Sequence, residues 1–123
     1  MRLVAHAFAI WVACALTIAG GRRIVGMGAT LWIHAGVAPI AAALVSSAYF
    51  NHARAASPLA AATFFAAFAL LLDATLVGVV IEKSYAMFAS LLGTWVPLLS
   101  IFAATYCVGD CRVHHGLRRA YED

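Results

Sequence analysis

A single carboxylate inside an apolar run sets the strongest constraint on this chain. Leu59 to Ile81, LAAATFFAAFALLLDATLVGVVI, has about the length needed to cross a bilayer, and Asp73 stands within it. An acid near mid-membrane costs about 2.5–3.5 kcal/mol on insertion scales, so it faces protein or water, is paired, or is protonated. Helical spacing puts Asp73, Ala69, Ala66 and Ala62 on one side, and small residues let another helix approach closely. Asp73 is therefore expected to look into a helix bundle.

The rest of the chain repeats the pattern of apolar runs. Hydrophobic residues make up 65% of the 123 positions and charged residues 11%, the balance of a multi-pass membrane protein. Leu3 to Gly20 forms the first run. Its positive flank before the run is only Arg2, the run is long for a signal peptide, and Trp11 spoils a lipoprotein-type site at Cys14, so it reads as a retained helix. A second run extends from Gly28 or Ala29 to Phe50 around Pro39, which membrane helices tolerate. NHARAASP, Asn51 to Pro58, is a polar turn with Ser57 as N-cap and Pro58 as first-turn residue of the third helix. The apolar stretch from Ser84 to Gly109 would span about 39 Å as one helix. Either it is long and tilted, or Tyr85 to Leu92 lies along the interface and the crossing starts near Gly93 and Thr94. A polar tail, Asp110 to Asp123, remains.

These runs predict an all-α fold: one domain over residues 1–123, built as an up-down-up-down bundle of four transmembrane helices at about 3–20, 29–50, 59–81 and 85 or 94–109. Short loops favour sequential antiparallel neighbours. The seven arginines and one lysine lie between or outside the runs, so the net charge of +3 signals topology rather than nucleic-acid binding. Arg2, Arg54, Arg112, Arg118 and Arg119 on the side of the termini outweigh Arg22, Arg23 and Lys83, which predicts cytoplasmic termini. The segments ASPLAAATFFAAFALLLDATLVGVVI and EKSYAMFASLLGTWVPLLSIFAATYCVG resemble the second half of a family of small, mostly uncharacterised bacterial four-helix integral membrane proteins. The resemblance covers residues 30–109 and rests on Asp73 and the EKSYAMFASLLGTW stretch. It implies a bacterial inner membrane and brings no activity with it.

Three constellations could carry chemistry. His34 lies about 8 Å and Asp73 about 13 Å from one membrane face, close enough to meet, and His34 shares a face with Ala38, Ala41, Val45 and Ala48. The pair could relay protons or serve packing alone. Cys107, Cys111, His114 and His115 would share one face of a continuing helix and offer zinc or copper ligands, although the spacing matches no standard site and Gly109 could break the face. His6 and His52 both lie near the terminal side and could hold a haem between two helices. Trp32, Tyr49, Trp95 and Tyr106 read as interfacial anchors, and Trp11 as packing.

No nucleophile elbow, phosphate loop, dinucleotide loop or metalloprotease helix occurs in the sequence. The expectation is a non-enzymatic structural or accessory membrane protein without a cofactor, in contact with lipid and with a further copy or another membrane protein. One alternative is a small proton-coupled transporter or channel that acts as an oligomer through Asp73 and His34. The other is a metal- or haem-binding protein.

Overall fold

The computed structural model describes residues 1–52, 55–81 and 83–122. Four helices account for almost all of it: α1 (Arg2–Ile24), α2 (Met27–Phe50), α3 (Pro58–Leu72) and α4 (Val96–Glu122). Helix α3 continues without interruption into a π-helical segment, Asp73–Ile81, and α4 is preceded by a 3₁₀ turn, Ala86–Ala89, and a π-helical turn, Leu91–Trp95. The described residues contain no strand.

Each helix buries one narrow stripe at spacings of three and four residues, the period that keeps side chains on one face. The stripe of α1 is Ala7, Ile10 and Cys14; that of α3 is Ala61, Ala62, Phe65 and Ala69. Within each span's most apolar window only 17% to 22% of residues are buried. Leu16, Leu44, Leu71 and Leu99 point outward on the four spans. An exposed surface this apolar belongs in hydrocarbon, and four helices are long and apolar enough to cross it. The chain is a small multi-pass membrane protein of the four-helix, all-α class.

The chain runs up, down, up, down, but its helices are not all sequential neighbours. Helix α1 packs on α2 and α3, and α4 packs on the same two, which leaves α2 and α3 on a diagonal. The buried stripe of α2, which includes Ala38, Ala42 and Ser46, is small enough for α4 to approach. There Ser46 Oγ donates to Thr105 Oγ1 at 3.1 Å, wholly inside the bundle. This stripe falls on Ala42, Ser46 and Tyr49, one position beyond the expected Ala41, Val45 and Ala48.

The connection from α2 to α3 is held by Tyr49, whose hydroxyl accepts the Ala56 N–H, and by the Arg112 guanidinium donating to the Asn51 side chain. Arg54, counted in the charge balance, lies outside the described residues. Ser57 caps α3 by accepting the Ala60 N–H, and Pro58 opens the helix, as the sequence predicts. Tyr49 is no interfacial anchor: its ring is buried against His6, Phe50 and Phe65 at centroid distances of 5.4, 5.2 and 5.9 Å.

Three boundaries differ from expectation, each for a packing reason. Helix α1 runs through Gly20 and Gly21 to Ile24 because Gly21 faces the Thr30 side chain, where a Cβ would come within 2.7 Å. The chain then reverses at Gly26, whose φ of 83° suits glycine. The last crossing starts at Leu91, ahead of Gly93, because its first turn is capped: Ser90 Oγ accepts the Gly93 N–H. Thr94 Oγ1 and Trp95 Nε1 donate to the Met87 and Phe88 carbonyls, each at 3.0 Å, and tie the preceding turn to α4.

Finally, α4 continues through the expected polar tail to Glu122. Gly109 does not break it, since it is buried where a Cβ would meet Phe50 at 2.7 Å and Pro58 at 2.8 Å. Gly109→Ala should therefore overpack the α2–α3–α4 corner and cost about 1–3 kcal/mol. Gly116→Ala, with nothing within 4 Å of its Cβ, should leave the melting temperature unchanged or raise it. Thermal unfolding of the two variants in one detergent checks both.

Candidate binding site around Asp73

Asp73 sits where α3 turns π-helical, so its carboxylate leaves the helix at the point where the backbone widens. Its N–H bonds to both the Ala69 and Leu70 carbonyls. Thr75 Oγ1 donates to the Leu71 carbonyl at 2.7 Å, which satisfies a backbone acceptor in the altered ladder. Wide turns of this kind frequently mark functional positions in helices. Past Asp73 the segment leaves its neighbours: among the described residues its one extensive contact is with its own first half.

The carboxylate turns inward, as Ala62 and Ala69 on its face predict, and meets Trp11. The indole Nε1 donates to Asp73 Oδ1 at 2.9 Å across α1 and α3. Trp11 is thus a direct partner of the acid in the third span. The sequence places Trp11 deep in helix 1, away from the interfacial ends, which reads as packing; counted from the shared end it lies about 14 Å along α1 and Asp73 about 23 Å along α3, so stagger brings the two together. A signal was present nonetheless, since Trp11 lies on the α1 face that also carries Ala7, Ile10 and Cys14.

His34 lies on the opposite wall of the same space. It is 7% exposed, and its Nδ1 is buried without a hydrogen-bond partner. No hydrogen bond joins it to Asp73 among the described residues, so the expected pair shares a cavity rather than a contact. An orphaned buried nitrogen costs about 1–3 kcal/mol unless something in the cavity satisfies it.

Two spaces meet here. The deeper one, about 20 Å³, is lined by Trp11, Cys14, His34, Asp73, Thr94 and apolar neighbours, and has the size and polarity of a site for one water. The larger, about 540 Å³, starts at the same Trp11, Cys14, His34 and Asp73 and reaches Arg22 and Arg23. Ile18, Leu31, Val77 and Met87 give it apolar walls, and Ser84 and Ser90 border it on the loop side. Its volume falls in the range of small-molecule sites. It is the wedge left between α1, α2 and the diverging π-helical segment, covered by residues 84–93.

The other sequence candidates lie elsewhere. Cys107 and Cys111 are free and exposed on the outer side of α4, away from its buried Ile101, Thr105 and Gly109. His114 Nδ1 bonds to the Asp110 carbonyl at 2.9 Å and stands 3.5 Å from its carboxylate, and His115 is exposed. Among the described residues no three His, Cys, Asp or Glu side chains gather as metal ligands. His6 bonds through Nδ1 to the Arg2 carbonyl and packs on Tyr49, while His52 is exposed and bonds to the Ala48 carbonyl.

No family model, curated protein or solved structure matches the chain. Trp11→Phe keeps an aromatic ring but removes the donor, and the unpaired carboxylate should cost about 1–3 kcal/mol of stability. In the Asp73→Asn background the same change should cost less, a non-additivity of at least ~0.5 kcal/mol that a double-mutant cycle of thermal unfolding would detect.

Proposed function

We propose that this chain is a non-enzymatic accessory membrane protein that admits a small molecule from one side of the bilayer into a cavity ending at Asp73 and His34. The observation that carries the reading is a cavity of about 540 Å³ that ends on a buried histidine nitrogen without a partner. Bundles built only for packing fill such space with side chains. Beyond Asp73 the bundle is closed: Ala38, Ala42, Ala61, Phe65 and Ile101 are all within 3% exposure. That closure supports binding over passage through a single chain, and an oligomer would be needed to complete a path.

Cys14, His34 and Asp73 border the same space, and the buried His34 Nδ1 there has no hydrogen-bond partner. The resemblance to bacterial four-helix proteins and the arginine distribution support a cytoplasmic membrane with both termini inside. The mouth at Arg22 and Arg23 then faces outward.

Side-specific labelling tests the reading. In a protein with Cys14, Cys107 and Cys111 replaced by serine, Ala19→Cys on the cavity wall should react with a charged methanethiosulfonate added to the outside of whole cells, and Leu44→Cys on the outer face of α2 should not. Equal rates at the two positions would mean that the cavity is closed in the membrane and that the chain serves packing.

A further inference from the structure

The cavity has a polarity pattern as well as a volume, and the pattern specifies a class of ligand. At its floor, Trp11 Nε1 occupies one oxygen of Asp73, and His34 Nδ1 is buried and unpartnered. At its mouth stand Arg22 and Arg23, together with Met27 at the start of α2. A helix N-terminus carries unpaired N–H groups and partial positive charge, and α2 has no side-chain cap there. Between mouth and floor the walls are Ala15, Ile18, Leu31 and Val77.

We infer that the cavity binds an elongated amphipathic anion that carries a hydrogen-bonding hydroxyl or amine at its far end. The acidic head lies against Arg23 and the start of α2, and the apolar middle lies on Ile18, Leu31 and Val77. The far group donates to Asp73 and reaches His34. The distance is suitable: Arg23 lies twelve residues beyond Trp11 on α1, roughly 18 Å along the axis, and the reach of the Arg23 side chain brings this within the length of a twelve-carbon chain. A ligand with one polar end leaves one end of this cavity unmatched, because an acid alone leaves Asp73 and His34 in contact with hydrocarbon. A hydrophobic cation would suit Asp73, but at its other end it would leave the Arg23 guanidinium and the start of α2 without an acceptor. Such a molecule can reach the site from solution or from the lipid leaflet.

This inference rests on the cavity reading above, and the test separates the two. The unsubstituted protein is labelled with ¹⁵N at tryptophan, which gives Trp11 its own indole N–H resonance on the cavity floor and keeps the Trp95–Phe88 bond. In nanodiscs of zwitterionic lipid it is titrated with ω-hydroxydodecanoate, dodecanoate and dodecyltrimethylammonium while the Trp11 resonance is followed. The hydroxy acid should give a saturable change. Dodecanoate should bind about tenfold more weakly, since it leaves the buried polar groups unpaired. Arg23→Gln should weaken both acids by a similar factor, whereas Arg118→Gln at the opposite end should change neither. Saturation in protein-free-corrected titrations that scales with added ligand in buffer, and not with ligand preloaded in the bilayer, assigns the route to solution; the reverse assigns it to the leaflet.

Tighter binding of the ammonium than of either acid would overturn the anion assignment and keep the cavity as a ligand site. Equal binding of the two acids would overturn the role of the far group. No saturable change with any of the three overturns the inference, and only if Ala19→Cys is also unreactive does the cavity reading fall with it.

Discussion

The hydrogen bond from Trp11 to Asp73 is the interaction around which the bundle is arranged. The apolar span Pro58–Ile81 contains one acid, and hydrocarbon offers it no solvent. Its carboxylate must be met from inside, and the donor comes from a non-adjacent stretch of chain, the first helix. That contact fixes the rotation of α3 about its axis and its stagger against α1. The small residues on the same face, Ala62 and Ala69, then pack where a larger side chain would hold the two helices apart.

The cavity follows from the same residue. At Asp73 the ladder of α3 changes from α to π, and the segment that follows no longer lies along α1 and α4. The connection over residues 84–93 does not fill the wedge either, because its carbonyls are tied to the first turn of α4 through Thr94 and Trp95. The opposite half of the bundle is packed with alanine and aromatic residues around Tyr49. One half is thus closely packed, and the other is open and lined with polar groups at its floor.

Much of this is legible in the sequence. The length of the apolar runs gives the four spans, helical spacing gives the inward direction of Asp73 and His34, and Ser57–Pro58 gives the start of α3. The partner of Asp73 is not legible, because depth counted along each helix ignores the stagger between α1 and α3. Nor is the diagonal placement of α2 and α3, which depends on how well Ala42 and Ser46 fit against Thr105 rather than on loop length. The terminal helix past Gly109 escaped for a similar reason: a glycine signals a break only when no neighbour occupies the space its missing side chain leaves. The cavity itself is invisible to pattern reading, since its apolar walls resemble any lipid-facing stripe.

The most direct test of the account is the indole N–H resonance of Trp11 in a protein labelled with ¹⁵N at tryptophan, recorded with and without Asp73→Ala. The account predicts that Trp11 gives a hydrogen-bonded resonance that moves strongly when the carboxylate is removed, while Trp32 and Trp95 stay in place. A Trp11 resonance indifferent to Asp73→Ala would contradict it, and would mean that the acid finds its partner elsewhere and that the cavity floor is not built as described.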